Sequence, residues 1–272
     1  MGWELRRGKN VQYLTVPAWE RAGVEVAFST RQGGLSGGRY ASLNLGLHVG
    51  DSPELILANR RLWLSEFGVL LERAVIGEQT HGSAVTWVGE ADAGRGAKEL
   101  AAALPGIDGM LTRASCGLMA FFADCIPLFF YHPALKAVGI AHAGWKGTVG
   151  KIALNILDKM AAAGGAPQEC WVAIGPGIGA CCYEVDEAVA RQFRAAFRKT
   201  PFLQSSRPGH FLLDLRQANR EILLAAGVLA EHIWLDSHCT ACAAELFFSH
   251  RRDGAPTGRM AGWIRLKRES WA

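Results

Sequence analysis

The chain has 272 residues, half of them apolar and a fifth charged, enough for a substantial core and ordinary for a globular protein. A net charge of +4 without a clustered run of Lys or Arg excludes a nucleic-acid-binding stripe but tolerates anionic ligands. The most apolar stretch, "GLMAFFADCIPLFFY" over 117–131, is broken by Asp124 and Pro127 and falls short of the about 20 apolar residues of a membrane span, so it reads as buried strand.

In chain order, "VEVAFSTRQGGLSGGRYASLNLGLHVGD" (24–51) reads as a strand followed by a glycine-rich polar segment. "DSPELILANRRLWLSEFG" opens with Asp51, Pro53 and Glu54, a capping-box spacing with proline just inside, and predicts a helix that stops at Gly68. "RAVIGEQTHGSAVTWVGE" predicts two strands broken at Thr80-His81-Gly82, and 89–109 a loop with at most a short helix. Strands are expected at 117–123, 126–131 and 136–142, and a helix at about 149–163, ended by Gly164-Gly165. "CWVAIGPGIGACCYEV" gives a strand and a glycine corner, followed by the helix "DEAVARQFRAAFRK". Asp214, with Gln217 three residues on, caps a further helix that Gly227 closes; short strands, including "ELFFSHRR" and "MAGWIRLK", end the chain.

The elements mix without regular alternation, and there is no linker or internal repeat. The expectation is one α/β (α+β) domain over 1–272, a layered sandwich with mixed central β-sheets flanked by helices. "MGWELRRGKN" has no apolar segment behind its charges, and seven cysteines, an odd number, read as free thiols, so the expected location is cytoplasmic.

The candidate chemistry lies around the turn "YHPALK". A turn centred on Pro133-Ala134 pairs residues whose numbers sum to 267, which sets Cys125 opposite His142 with Cβ atoms about 4.5–5.5 Å apart. A thiolate and an imidazole so placed either share a metal or act as nucleophile and base. An even loop length preserves this, and an odd one turns the side chains apart. A catalytic metal needs a third ligand, and His81, in the strand break, is the best placed. His, Cys and His with one open position is the pattern of catalytic zinc. The bland alternative is a structural Cys125 with His142 satisfied by backbone.

Other motifs carry less. "GPGIGA" (175–180) fits the dinucleotide fingerprint, but "CCYEV" rather than a helix follows, and no ribose-binding acid lies downstream. "HCTAC" supplies one C-x-x-C pair, Cys239 and Cys242, with His238 beside it and His250 downstream; a structural zinc site or a redox pair is the lesser reading, since only one such pair exists, and the adjacent Cys181 and Cys182 read as packing or pocket thiols.

The motifs "EQTHGSAV", "ADCIPLFFYHP", "AVGIAHAGWKGTVGKI", "AIGPGIGACCYEV" and "CTACAAELFFSHRRDGAPTGRMAG", with the early "STRQGGLSGGRYASLNLGLHVGD", run through nearly the whole chain. Together they resemble the laccase-domain family. Its members were once named multicopper polyphenol oxidases and are now described as purine nucleoside phosphorylases, the peptidoglycan editing factor among them. The resemblance implies an α/β sandwich with two central sheets, and zinc held by His81, Cys125 and His142. It implies phosphorolysis of adenosine, inosine, guanosine and 5′-methylthioadenosine, with adenosine deaminase activity beside it. The partners are then purine nucleosides and phosphate, with neither nucleic acid nor membrane; the oligomeric state is left undetermined.

Under that reading Lys146, in the glycine corner of Gly144, Gly147 and Gly150, is expected to help hold phosphate at a helix N-terminus; otherwise it is a solvated lysine. Asp124 is the candidate acid/base, or a structural carboxylate on the opposite sheet face. Arg31, Ser42 and Asn44 are expected to meet substrate, or to serve turn chemistry. The signature of other zinc deaminases, H-x-E followed by P-C-x-x-C, is absent. Copper is disfavoured, because eight histidines without a His-x-His pair are a poor supply for a trinuclear cluster. Two rivals remain, a cysteine hydrolase using Cys125 with His142 as base and a non-catalytic metal- or purine-binding regulator.

Overall fold

A computed structural model describes residues 2–267. Two six-stranded sheets face one another. The first runs Glu4–Arg7, Gln12–Thr15, Val24–Ser29, Met260–Leu266, Gly117–Phe122, Ala74–Ile76, and is antiparallel except at its last pair. The second runs Ile233–Leu235, Trp171–Ile174, Ile126–His132, Ala137–Ala143, Gly109–Thr112, Val85–Val88, and is parallel only at its two edge pairs. A small antiparallel sheet, Glu184–Asp186, His210–Leu213 and Leu203–Arg207, stands apart from both.

The central strands are buried on both faces, which is why they read as unbroken apolar runs rather than alternating ones. Along Gly117–Phe122, Leu118, Ala120 and Phe122 enter the layer between the sheets, while Met119 and Phe121 pack outward with Trp63 and Leu64 of helix Pro53–Ser65. Along Ile126–His132, Phe129 and Tyr131 turn inward, while Leu128 and Phe130 pack with Ile156, Met160, Ile222 and Leu223 of helices Ile152–Ala162 and Leu215–Ala225. The result is a helix, sheet, sheet, helix sandwich, as expected. The sheets approach closely at Gly262, where a Cβ would sit 2.9 Å from Phe129 Cζ. No helix among the described residues is long and apolar enough to cross a membrane.

Several elements depart from the sequence reading. Helix Pro53–Ser65 is capped by Ser52, whose hydroxyl accepts from Leu55 N; Asp51 instead accepts from Ser36 Oγ and Asn44 Nδ2. Strand Gly109–Thr112 lies at the end of the expected loop. The helix expected at 149–163 is two, Trp145–Val149 and Ile152–Ala162, divided where Lys151 takes a left-handed φ of 58°. "ELFFSHRR" is no strand: it ends in the short helix His250–Asp253.

Candidate metal centre

The hairpin loop is the four residues Pro133–Lys136, closed by Lys136 N donating to Pro133 O at 3.1 Å. This moves the turn centre by one residue, so the observed partner of His142 is Pro127, not Cys125. The shift preserves parity. Cys125, two residues before Pro127, still projects to the same face as His142, and that face is the inter-sheet one: Val138 and Ile140 precede His142 on it, and Cys125 packs against the same cluster. The sheet therefore delivers a sulfur and an imidazole to one end of the inter-sheet core, beside Phe122, whose ring centroid is 5.5 Å from that of His142.

His81 arrives from the first sheet's side. After strand Ala74–Ile76, Gln79 and His81 adopt left-handed φ values of 52° and 60°, strained for non-glycine residues. Two devices hold them. The Gln79 side chain pairs with the Phe121 backbone, donating to its O and accepting from its N, each at 2.8 Å. The carboxylate of Asp108, whose side chain is fully buried, accepts from the backbone N of Thr80, His81 and Gly82 at 3.0, 3.1 and 2.8 Å. The same carboxylate meets His142 Nδ1 at 2.8 Å, which leaves Nε2 as the free ring nitrogen. One acid thus fixes the loop that carries one imidazole and the orientation of the other. Asp108 was missed in the sequence because it sits in the unassigned 89–109 stretch, with only a flanking "GIDG" to mark it.

His81, Cys125 and His142 each offer one donor atom, and all three atoms lie within 4.8 Å of one another. The imidazole rings meet edge-on at 76° with centroids 4.9 Å apart. Burial by itself would raise the Cys125 thiol, but His142 and His81 outweigh it and bring it down to about 6. Burial would lower His142, but the Cys125 sulfur and Asp108 outweigh that and lift it to about 9. The metal-free pair is a thiolate beside an imidazolium, a concentrated negative sulfur that a cation can share. The glycine corner makes room for it: a Cβ at Gly144 would lie 3.0 Å from Cys125 Sγ, and one at Gly147 2.8 Å from Gly82 O.

The donors border a cavity of about 610 Å³, lined also by His48, Phe121, Trp145, Tyr183, Arg251 and Arg259. Most of the other residues singled out in the sequence are engaged elsewhere. Lys146 is exposed and does not line the cavity; its neighbour Trp145 does. The helix behind that corner is only five residues long. Asp124 borders the cavity, but Oδ1 accepts from Thr240 Oγ1 at 2.6 Å and Oδ2 from Arg251 N at 2.7 Å, so it acts as an anchor for the C-terminal loop. Arg31 bonds the carbonyls of Ala41 and Ala244 and stacks on Phe248. Ser42 ties Gly34 N to Arg31 O. Asn44 is fully buried and receives Gly46 N and Arg259 N.

Arg31, Ser42 and Asn44 do not line the cavity, but their segment reaches it further on. Its contribution to the cavity is Leu47 and His48, and Gly46 clears the path of Arg259, whose Cγ would be 2.7 Å from a Cβ there. Burial with the charges of Arg259 and Arg60 presses His48 down to about 4, keeping it neutral.

A family model described as multi-copper polyphenol oxidoreductase laccase matches residues 25–267. The chain belongs to this family. Among its laccase-family relatives, purine nucleoside phosphorylase YlmD of Geobacillus stearothermophilus is 45% identical over 255 residues, 92% of each chain. Adenosine deaminase RL5, from an unknown prokaryotic organism, is 36% identical over 241 residues, 87% of this chain and 92% of that one. The crystal structure of YlmD from G. stearothermophilus superposes with a TM-score of 0.93 at 41% identity, covering 97% of this chain and 99% of that one. Despite the family's title, the metal-like donor groups found among the described residues are this one and a set of four thiols, neither of which has the imidazoles of a trinuclear copper cluster.

Proposed function

We propose that the chain is a zinc-dependent purine nucleoside phosphorylase with adenosine deaminase activity, acting on adenosine, inosine, guanosine and 5′-methylthioadenosine. The observation that carries this is the convergence of His81, Cys125 and His142 on one point beside a cavity of nucleoside size. The names of the relatives supply the reaction. His81, Cys125 and His142, two imidazoles and one thiolate at the border of the cavity, would hold Zn(II), a donor set that suits this metal. Zinc bound there supplies Lewis-acid polarisation of a substrate oxygen or activation of water.

The chain's own groups divide the remaining work. Phe121, Trp145 and Tyr183 offer apolar and aromatic surface to a purine base. Phosphate falls to Arg259 rather than Lys146: Arg259 lines the cavity, its guanidinium bonds the carbonyls of Thr257 and Gly258, and among the described residues it forms no ion pair with a carboxylate. Since Asp124 is occupied, proton transfer falls to groups that face the cavity, the neutral His48 and the Tyr183 phenol, which burial holds protonated.

Asp108, His142 and Cys125 also form the acid, imidazole and thiolate series of a cysteine hydrolase. His81 decides against it, because a hydrolase has no use for a second imidazole donor against the same sulfur. The test is an assay on adenosine and inosine with and without phosphate, following base release and ammonia separately, alongside zinc content. Phosphate-dependent base release, lost together with zinc in Cys125→Ser, is the expected result. Metal-free, fully active protein that iodoacetamide inactivates at Cys125 would overturn the proposal in favour of the hydrolase.

A further inference from the structure

A second donor set lies outside the pocket, where the sequence spacing displayed only one C-x-x-C pair. Cys181 and Cys182 lie in the loop after strand Trp171–Ile174, and Cys239 and Cys242 in the loop after strand Ile233–Leu235. These strands are parallel neighbours, so both loops leave the same end of the sheet. Gly177 and Cys239 then pair as an isolated bridge, with Thr240 N donating to Gly177 O at 3.1 Å. Residues some 60 positions apart in the chain are brought into register by that pairing.

The four sulfurs all lie within 4.8 Å of one another, with Cys182 and Cys181 at 3.4 and 3.7 Å from Cys242. A disulfide needs about 2.05 Å. Four thiolates at about 2.3 Å from a tetrahedral ion are separated by about 3.8 Å, the edge of the tetrahedron. The two separations from Cys242 lie near that edge, and well beyond a disulfide.

The surroundings suit anionic sulfur. Gly179 N donates to Cys239 Sγ at 3.2 Å. Four thiolates and one divalent ion leave two negative charges, and two guanidinium groups flank the cluster. Arg251 donates to Cys182 O at 3.2 Å, and Arg216 donates to Asp236 O and His238 O at 2.9 and 3.0 Å.

We propose that Cys181, Cys182, Cys239 and Cys242 bind one Zn(II) as a closed four-sulfur site that pins two pocket-wall loops together. Both loops reach the neighbour of Cys125: Ile178 N donates to Asp124 O at 2.8 Å and Thr240 Oγ1 to the Asp124 carboxylate. Tyr183 and Ile178 of the cavity wall belong to the first of them. The ion closes a loop joining Cys181-Cys182 to Cys239-Cys242 and so restrains the wall of the substrate cavity without touching substrate.

The full chain, reduced and reconstituted with Zn(II), tests this by zinc count and by zinc-edge X-ray absorption. Wild type is expected to hold two zinc ions per chain and to release all seven thiols on denaturation with chelator. Cys125→Ser is expected to keep one, with a sulfur-only shell at about 2.3 Å. Cys242→Ser and Cys181→Ser, at exposed positions that disturb no core, are expected to keep one with mixed nitrogen and sulfur. Cys125→Ser that holds no zinc, a second ion that survives both Cys242→Ser and Cys181→Ser, or only five titratable thiols would overturn the proposal. Because the pocket ion is read in the Cys242→Ser protein, failure there is distinguishable from failure here.

Discussion

The two donor clusters use the same elements of chemistry and opposite geometry. In the pocket, Cys125 and His142 flank the facing ends of two hydrogen-bonded strands, His81 comes from a strained loop, and three donors face a cavity of about 610 Å³. In the second cluster four sulfurs come from two loops, with Cys181 and Cys242 exposed and none lining the cavity. Three donors leave a reactant's position open, whereas four close the shell. Position in the sheet then sets rigidity: the pocket donors are over-determined by Asp108 and by packing, while the thiols depend on one another. An open site needs its geometry built into the protein in advance, and a closed one can draw it from the ion.

The largest effect expected from breaking the pocket side of this comparison is that of Cys125→Ser. It should abolish pocket zinc and lower kcat/KM by more than the roughly 10- to 100-fold that loss of an outer partner costs, as read by metal analysis and steady-state kinetics. Asp108→Ala comes next. It strips three backbone amides and His142 of their acceptor, and chemical denaturation should report about 3–5 kcal/mol of lost stability together with weaker metal binding.

Acidity sharpens the comparison further. In the metal-free chain the imidazoles hold the Cys125 thiol down, to about 6, while the sulfur and Asp108 lift His142, to about 9, so zinc binding between those values has the His142 proton to displace. Competition with a chelator should show affinity rising about tenfold per pH unit across that window. Below it the slope steepens, because the protonated sulfur must be ionised as well. Arg259→Met should raise the phosphate KM about tenfold with kcat less affected. At the small end, Lys146→Met should leave the phosphate KM unchanged, because that side chain is exposed outside the cavity; a raised KM would restore the lysine to the site.

Local pattern was enough for the long elements. The apolar runs at 117–122, 126–132 and 137–143, the Asp214 cap with its Gln217 amide, and the glycine stops all announce themselves within a few residues. Parity placed Cys125 and His142 on one face even though the turn centre was off by one, because a shift of two residues in register leaves side-chain direction intact. The side chains that support the site were harder to read. Asp108 acts through backbone amides remote in the chain and Arg259 lies in the cavity wall against the distant Gly46, while Arg31 and Ser42, which share a motif with His48, spend their polar atoms on the backbone and Asn44 divides its own between the backbone and Asp51.

By itself the sequence determined the sandwich of mixed sheets and the family, and it nominated the three side chains that meet at the pocket, since each rests on periodicity or on local motifs. Which carboxylate orients an imidazole, which arginine reaches the cavity, and that four cysteines form one cluster were decided only by tertiary structure. Those choices depend on how two loops and two sheets meet in space, and spacing along a chain does not encode the distance between atoms that folding brings together.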